Sequence, residues 1–530
     1  MATAAELLKQ GRREEVWRKY CGFLDLNLDK FMEIQERLLM EQIDLLSKCD
    51  LGKKLLNNHI PGSLAEFRET VPLTTYADYY PYLMTTQAGE NLLPSKPVLW
   101  ARTSGRSSDT GFKWAPYSAE MLQKVGEFVT ATFLLASCSG KGDVCLDTGD
   151  TCLYTLAPAP YFTGGVIARG FENELRPKFI PSLEEGDQME FEERIQAGFK
   201  LALKEGIDLF YGLSSVLVAI AEQFERGSGS LGFSADMLHP KILFRLATGL
   251  LKSKIQKRGL LPKDLWRVKG IIAGGMDTAF YRDKIEAYWG IKPLEGYGGT
   301  ELGGIAVQAW NHKWMTFLPD CNFLEFIPED DFYKNAYDPN YQPKTLLLSE
   351  VQPGIYELVI TNFHGNVFTR YRTGDFIAIE ASGDPEIGVA IPQMSFHARA
   401  DGIIDISGFT RLTEKSVWKA IEESGIPYAG WTIRKEYQQT KPVLHLYLES
   451  KNGFRAEEMQ ESIHQKLKQE DSGYADLESM LGINPLRVTT LPHGAFSKYL
   501  ELKRIEGADL AHLKPPHVNP SDQVINQLLN

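Results

Sequence analysis

This chain of 530 residues lacks several sequence signals that would point to a particular class of protein. Its six cysteines are dispersed without a C-x-x-C pair, so nothing indicates a zinc ribbon or a disulfide framework, and a reducing cytosol fits. No apolar run reaches the ~20 residues that a membrane span requires. The N-terminus lacks the basic and then apolar plan of a signal peptide. We therefore expect no membrane span and a cytoplasmic location.

The chain also has little positive charge. Its formal net charge is −12, whereas binding to a nucleic-acid backbone demands a basic surface. We therefore expect no nucleic acid as the main partner. ATP is not excluded, because its site needs only local positive groups.

Three loops rich in glycine or hydroxyl residues follow one another along the chain. The first runs from Thr103 to Lys113 (TSGRSSDTGFK), the second from Tyr297 to Glu301 (YGGTE), and the third from Arg370 to Asp375 (RYRTGD). None has the G-x-x-x-x-G-K-[ST] form of a P-loop or opens a Rossmann unit with G-x-G-x-x-G. Transfer of the γ-phosphate is therefore the less favoured chemistry.

Each loop suits one part of ATP. The first offers hydroxyls and closely approaching backbone N–H groups to phosphate oxygens, with Lys113 as a cation. In the second, Tyr297 can lie flat against adenine, Thr300 can bond the α-phosphate, and Glu301 can hold Mg²⁺. In the third, Asp375 suits the ribose hydroxyls. The order of the loops predicts an ATP site that makes acyl adenylates.

The length exceeds one core, so we expect at least two domains. Strands alternating with helices predict an α/β fold, with mostly parallel sheets flanked by helices in a large N-terminal domain at 1–396. Successive short strands in 346–371 predict an antiparallel β-subdomain, with 367–371 as one strand. A small α+β C-terminal domain is expected at 397–530, after a hinge within 396–402.

Local patterns predict individual helices. Apolar residues at three- and four-residue spacing predict helices across 3–57, and Ser118 is expected to cap a helix over 118–137. Ser214 or Ser215 is expected to cap a further helix.

With these residues in view, the chain resembles the adenylate-forming superfamily. More closely, it resembles the auxin-responsive (Gretchen Hagen) family of acyl acid amido synthetases, in a bacterial-type version. The segments that carry the resemblance are FRETVPLTTYADYYPYL (67–83), GIYELVITNFHGNVFTRYRTGD (354–375), GFTRLTEKSV (408–417) and GAFSKYLELKRIEGADLAHLKPP (494–516).

The resemblance implies a reaction and its reactants. Such proteins couple a carboxylic acid to ATP with release of pyrophosphate, and then pass the acyl group to an amine, often an amino acid. ATP and Mg²⁺ are the implied cofactors, and a small-molecule acid and amine are the implied partners.

The resemblance also implies roles for individual residues. The implied phosphate contacts are Ser104, Gly105 and Ser107, and the implied adenine pocket is Gly274, Gly275 and Met276, beside Tyr297 and Gly298. Arg399 and Asp401 would lie at the domain hinge. Lys514 would reach from the small domain towards the charge that develops during adenylation.

Some features depart from the family pattern or leave alternatives open. Arg106 replaces a small hydroxyl residue, which allows it to be an additional phosphate ligand. Lys498 is the alternative to Lys514 as the small-domain lysine. An acyl-CoA ligase, which shares the first half-reaction, and a catalytically silent binding relative are the rival functions.

Overall fold

The computed structural model describes the chain outside residues 1, 85–90, 104–112, 190, 226–238, 275–277, 407–409, 439–440, 452–453, 472–473, 476–483, 506–515 and 530. The chain divides into two compact units. The first comprises Met1–Thr373 and Ile377–Phe396, and the second comprises Gly374–Phe376 and His397–Asn530.

The first unit begins with helices, as the spacing of the apolar residues predicts. They are α1 (Ala4–Lys9), α2 (Arg13–Cys21), α3 (Leu28–Ser47), α4 (Asp50–Leu55), α5 (Leu64–Thr70) and α6 (Tyr76–Leu83), with a 3₁₀ turn at Gly22–Asp25. Helix α3 shows how such a helix forms. The side chain of Asn27 caps it by accepting from Lys30 N at 2.9 Å, and its apolar stripe, including Phe31 and Leu39, is buried.

A four-stranded parallel sheet follows, in the order β4-β3-β5-β6. The elements of this region are β1 (Leu99–Arg102), β2 (Trp114–Tyr117), α7 (Ala119–Ser137), β3 (Thr151–Tyr154), a π-helical turn (Thr163–Ile167), α8 (Ala168–Glu174), β4 (Lys178–Ile180), α9 (Leu183–Asp187), α10 (Phe191–Glu205), β5 (Leu209–Leu213), α11 (Ser214–Glu225), α12 (Pro240–Ile255), α13 (Pro262–Leu265), β6 (Gly270–Gly274) and α14 (Thr278–Trp289). Large apolar side chains from the strands and helices, such as Phe210 and Trp289, fill its core.

Two predicted caps in this region have different outcomes. The Ser118 cap is confirmed, because its hydroxyl accepts from Met121 N at 3.0 Å at the start of α7. The expected cap at Ser214 or Ser215 is wrong, because Ser214 directly follows β5 as the first residue of α11. Its hydroxyl lies 2.8 Å from Thr278 Oγ1 instead.

The antiparallel β-subdomain is an eight-stranded sheet in the order β11-β10-β12-β13-β14-β9-β8-β7. Its elements are β7 (Gly296–Gly299), β8 (Gly303–Gln308), β9 (Met315–Phe317), β10 (Asn322–Pro328), α15 (Glu329–Tyr337), β11 (Leu346–Leu347), β12 (Gly354–Asn362), β13 (Tyr371–Ala381) and β14 (Gln393–Arg399). The strand predicted at 367–371 is wrong except for its last residue. Arg370 has φ +44°, a left-handed conformation that a strand does not contain, so β13 begins at Tyr371.

The second unit is a small α+β fold, as predicted. It contains a 3₁₀ turn (Ala400–Gly402), β15 (Ile403–Ile406), β16 (Thr410–Thr413), α16 (Glu414–Glu423), β17 (Tyr428–Gln438), β18 (Lys441–Ser450), α17 (Ala456–Glu470), β19 (Leu486–Thr490), α18 (Ala495–Ile505) and α19 (Asp522–Leu529). Strand β18 pairs antiparallel with β17 and parallel with β19. No helix in the described parts of either unit is both long and apolar enough to cross a bilayer.

Candidate active site

The Tyr-Gly-Gly-Thr-Glu motif forms the tight turn between β7 and β8. Gly298 pairs with Gly304, and Gly303 has φ +64°. A Cβ on Gly298 would lie 2.2 Å from the carbonyl oxygen of Gly303, so only glycine lets the two strands approach this closely. The turn thereby holds Thr300 and Glu301 at its tip.

The carboxylate of Glu301 lies beside side chains from the other two motifs. Lys113 Nζ is 3.3 Å from Glu301 Oε1, and the hydroxyl of Tyr371 donates to the same oxygen at 3.1 Å. The lysine also donates to the tyrosine hydroxyl at 3.1 Å. The side chains of Lys113 and Glu301 are 22% and 13% exposed, so they lie in a partly closed site that remains in contact with solvent. The structure therefore brings together one residue from each of the three loops.

The first loop is closed at its base by the β1–β2 hairpin. Arg102 pairs with Trp114, and Thr103 N donates to the Lys113 carbonyl oxygen at 2.9 Å. Lys113 N donates in return to Thr103 Oγ1 at 3.1 Å. These bonds fix the start and the end of the loop. The predicted ligands within it, Ser104, Gly105, Arg106 and Ser107, lie outside the described residues.

Tyrosines to which the sequence analysis assigned no role surround this cluster. Tyr117 donates to the Thr300 carbonyl oxygen at 2.8 Å, and Lys113 Nζ lies 5.3 Å from the ring centre of Tyr76. Burial, with a smaller contribution from the charge of Glu301, raises the pKa of Tyr76 to about 12, against a backbone hydrogen bond at Trp114 that lowers it. Burial and the same charge raise the pKa of the Tyr117 hydroxyl. Both therefore remain neutral hydroxyl groups at neutral pH.

A sequence signal for these tyrosines was present. Tyr76 ends the Thr-Thr-Tyr of the N-terminal family segment, Tyr117 precedes the Ser118 cap, and Tyr371 lies inside RYRTGD. Tyr76 and Tyr371 stand within segments that carry the family resemblance, and Tyr117 lies four residues after the end of the first loop. Their convergence on one carboxylate is a property of the folded chain.

The arginines of the third motif bind protein groups. Arg370 is 5% exposed, and its Nη2 and Nε donate to the buried Glu325 at 2.8 and 3.0 Å. Its Nη1 donates to the carbonyl oxygens of Arg68 and Val71, which belong to the N-terminal family segment. Arg372 donates to Glu357 at 2.9 Å. Both arginines of the motif therefore pair with carboxylates of the protein itself, so their positive charge does not require a bound phosphate.

Asp375, the predicted ribose ligand, follows a glycine with a required conformation. Gly374 has φ +71° and open space around its missing Cβ, so the conformation, not crowding, selects glycine there. Asp375 is buried, and its Oδ1 lies 3.6 Å from Nη1 of Arg399. Arg399 ends β14, and its side chain is 51% exposed. The predicted ribose ligand and the predicted hinge arginine, which is also a candidate nucleotide ligand, thus form an ion pair.

The residues predicted to hold adenine come from adjacent segments of the first unit. Gly274 ends β6, and Ile272 of the same strand bridges in parallel to Leu294, just before β7. Ligands bind at the carboxyl ends of parallel strands in open α/β sheets. Tyr297 is 9% exposed, and its ring centre lies 5.6 Å from that of Phe396, a neighbour that the sequence analysis did not predict. Gly275 and Met276 lie outside the described residues.

Of the two candidate lysines, Lys514 lies outside the described residues and Lys498 is exposed on α18. The chain just after Lys514 is held against β17. Ile433 N donates to the His517 carbonyl oxygen at 2.7 Å, and the His517 ring stacks on the buried Trp431 at 4.3 Å between ring centres. Its Nδ1 lies 2.7 Å from Glu414 Oε1. A segment beginning at 516 is therefore anchored on the second unit.

The donor set fits a magnesium ion that is shared with substrate. Mg²⁺ is commonly bound by one or two carboxylates together with substrate phosphates. Glu301 supplies one carboxylate that already faces a cation, Lys113. Across the described ranges, no group of three or more His, Cys, Asp and Glu side chains is arranged to hold a metal by itself.

Solved structures of other proteins share this fold. The AtGH3.15 acyl acid amido synthetase in complex with 2,4-DB superimposes with a TM-score of 0.67 at 17% identity, covering 94% of this chain and 93% of that one. A 2-hydroxyisobutyryl-CoA ligase in the postadenylation state, with 2-HIB-AMP, gives a TM-score of 0.56 at 13% identity, covering 100% and 93%. At such identities the likeness shows the fold alone.

Family models then identify the family of the chain. The GH3 family N-terminal domain matches residues 22–144, the central domain matches 315–399, and the C-terminal domain matches 412–523. Because these matches together span more than half of the sequence, the chain belongs to the GH3 family. The family resemblance predicted from the motifs is confirmed.

Two curated relatives are amido synthetases or ligases. The probable indole-3-acetic acid-amido synthetase GH3.12 of Oryza sativa subsp. japonica is 24% identical, over 94% of this chain and 92% of that protein. The 4-substituted benzoates-glutamate ligase GH3.12 of Arabidopsis thaliana is 25% identical over 234 residues. That second match spans 40% of this chain and 38% of the Arabidopsis protein.

Proposed function

We propose that this protein is an ATP-dependent ligase that activates a carboxylic acid as its acyl adenylate and then transfers the acyl group to an amino acid. The observation that carries the proposal is the cluster of Lys113, Glu301 and Tyr371, which joins the three loops at one carboxylate. The printed names of the two curated relatives, one for indole-3-acetic acid and one for benzoates and glutamate, support an aromatic or indolic acid.

The first half-reaction joins the acid to AMP. A carboxylate oxygen attacks the α-phosphorus of ATP, the bond from that phosphorus to the β-bridging oxygen breaks, and pyrophosphate leaves. Lys113 and the loop that carries Ser104, Gly105, Arg106 and Ser107 bind the phosphates. The Thr300 hydroxyl bonds the α-phosphate, and Glu301 holds Mg²⁺, which would neutralise phosphate charge as pyrophosphate departs.

Each part of the nucleoside has its own proposed ligands. Tyr297 and Gly298 meet adenine together with Gly274, Gly275 and Met276, and Asp375 binds the ribose hydroxyls. Arg399 pairs with the Asp375 carboxylate. In the second half-reaction the amine attacks the acyl carbon, AMP leaves with the electron pair of the broken bond, and solvent accepts the proton.

The two half-reactions make different demands on one site. Adenylation needs a cation over the phosphates, and acyl transfer needs an open path for the amine. We assign residues 1–396 to the ATP and acid site, and residues 397–530 to a mobile lid that brings Lys514 to the phosphates. The reaction takes place in the cytoplasm, where ATP is abundant.

The test is acid-dependent exchange of labelled pyrophosphate into ATP, over a panel of aliphatic, aromatic and indolic acids. Exchange with an aromatic or indolic acid, followed by product formation with an amino acid, is the expected result. Coenzyme A is included as an acceptor because the 2-hydroxyisobutyryl-CoA ligase shares the fold. Exchange with no acid of the panel contradicts the proposal, and thioester formation without amide formation replaces it with an acyl-CoA ligase.

A further inference from the structure

Helix α12 is fixed to the first unit along one side. Its buried residues, Ile242, Gly249 and Ser253, lie on that side and belong to one helical face. Arg245 adds two bonds there, from Nη1 to the carbonyl oxygens of Ala202 at 2.5 Å and Leu203 at 2.7 Å. These contacts set the rotation of the helix about its axis and hence decide which residues face outwards.

The outward side of α12 is apolar. Phe244, Leu251 and Ile255 are 74%, 61% and 72% exposed, and Leu243 and Leu250 are each 48% exposed. Their spacings of four and seven residues place them in one stripe facing away from the buried side. Elsewhere in the described chain, exposed large apolar side chains occur singly or in pairs. A continuous stripe of this kind marks an interaction surface.

The stripe lies in a strongly basic segment of an acidic protein. Residues 237–263 contain seven Lys and Arg and no Asp or Glu, whereas the whole chain has a net charge of −12. Lys241 and Lys252 are exposed beside the stripe, and Lys254 is exposed within it. Lys257 is exposed just beyond its end. The surface therefore requires an occupant that is apolar and carries negative charge.

We propose that the outward face of α12 binds the surface of an anionic phospholipid bilayer. The apolar side chains enter the boundary between headgroups and acyl chains, and the lysines contact anionic headgroups, with their apolar stems lying along the boundary. This is a peripheral contact and needs no membrane-spanning helix.

Two other occupants fit less well. A second copy related by a twofold axis would set the lysines of one stripe against those of the other, and like charges repel. A protein partner would form about one hydrogen bond per 100–200 Å² of interface. Apart from Lys254, the stripe offers no hydrogen-bonding side chain for such a contact.

The experiment is flotation of the full-length protein with phosphatidylcholine vesicles, with and without about 30 mol% phosphatidylserine. We expect binding only to the anionic vesicles, and a loss of most binding in high salt. Phe244→Asp with Leu251→Asp should reduce the bound fraction at least tenfold, and Lys252→Glu with Lys254→Glu should do the same. The matched control is Ile60→Asp with Val98→Asp, which alters residues 62% and 58% exposed in the same unit and should leave binding unchanged.

The outcomes separate the occupants. Absence of binding to anionic vesicles, or equal binding by the stripe variants and the control, overturns the proposal. A change in molar mass by light scattering for Phe244→Asp with Leu251→Asp, in the absence of lipid, makes the face a contact between copies and also overturns it. All these variants change exposed residues, so each should keep the circular dichroism spectrum and the melting temperature of the unchanged protein.

Discussion

Replacing Glu301 with glutamine tests the central assignment with the smallest change in shape. The glutamine keeps an oxygen that can accept from Tyr371, which now donates at 3.1 Å, but removes the charge that faces Lys113 at 3.3 Å. We predict that the fold is retained and that adenylation falls by about 10²-fold or more. That corresponds to about 2.7 kcal/mol or more of lost transition-state stabilisation.

The size of the loss distinguishes two roles of the carboxylate. The bare Coulomb energy of the pair at 3.3 Å is about 5 kcal/mol at an effective dielectric constant of about 20. Desolvation, side-chain ordering and screening oppose it, so a partly exposed pair contributes about 1 kcal/mol or less in net terms. Loss of the ion pair alone therefore explains about a fivefold effect. A loss of 10²-fold requires that Glu301 also binds the metal.

The assay is acid-dependent pyrophosphate exchange measured against Mg²⁺ concentration. Glu301→Gln should raise the Mg²⁺ concentration needed for half-maximal rate, whereas Lys113→Met should lower the rate with an unchanged Mg²⁺ requirement. Glu205→Gln is the matched control, since Glu205 is also partly exposed and pairs with lysines, Lys178 at 2.9 Å and Lys204 at 3.8 Å, away from the candidate site. Near-normal exchange by Glu301→Gln at limiting Mg²⁺ would refute the reasoning.

Four further predictions concern the fold and the second unit. Arg370→Met removes the two hydrogen bonds that Arg370 donates to the buried Glu325, which keeps only the Thr345 hydroxyl and Arg68 at 3.9 Å. It should cost about 3–5 kcal/mol of stability, seen as a lower melting temperature, and an unchanged temperature would contradict this. Gly298→Ala places a Cβ 2.2 Å from the Gly303 carbonyl oxygen, so it should separate β7 from β8 and abolish pyrophosphate exchange. Gly354→Ala is the control and should be tolerated, because its Cβ would meet no atom closer than 3.5 Å. Burial by itself would raise the pKa of Glu436, but hydrogen bonds from His445, Arg434 and Tyr447 lower it to about 2. This carboxylate therefore stabilises the fold above about pH 4.5 and ceases to do so as the pH falls towards 2. Glu436→Gln should flatten the acid side of a plot of melting temperature against pH. An equally steep plot for this variant would exclude the contribution. Lys514→Ala should impair adenylation far more than acyl transfer from a preformed adenylate, and Asp401→Pro should do the reverse. The measurement is single-turnover kinetics of each half-reaction. Equal losses in both half-reactions for both variants would show that the lysine or the hinge is wrongly placed.

Local interactions explain which parts of the fold could be predicted. The N-terminal helices and the Ser118 cap were correct because periodicity and capping act within a few residues. The strand at 367–371 was wrong because the left-handed backbone of Arg370 accompanies a buried ion pair with Glu325, 45 residues away. The Ser214 cap was wrong because β5 runs directly into α11. Tertiary contacts override local preference at such positions.

The sequence by itself determined the family of this protein, because each of its motifs is contiguous and can be recognised within one short segment. Only the tertiary structure decided that Lys113, Tyr371 and Glu301 meet, since contacts separated by 258 and 70 residues depend on how distant strands pack. It also decided that Arg370 stabilises the fold and that the face of α12 points outwards. Exposure and long-range pairing depend on the packing of the whole unit, and no local pattern encodes them.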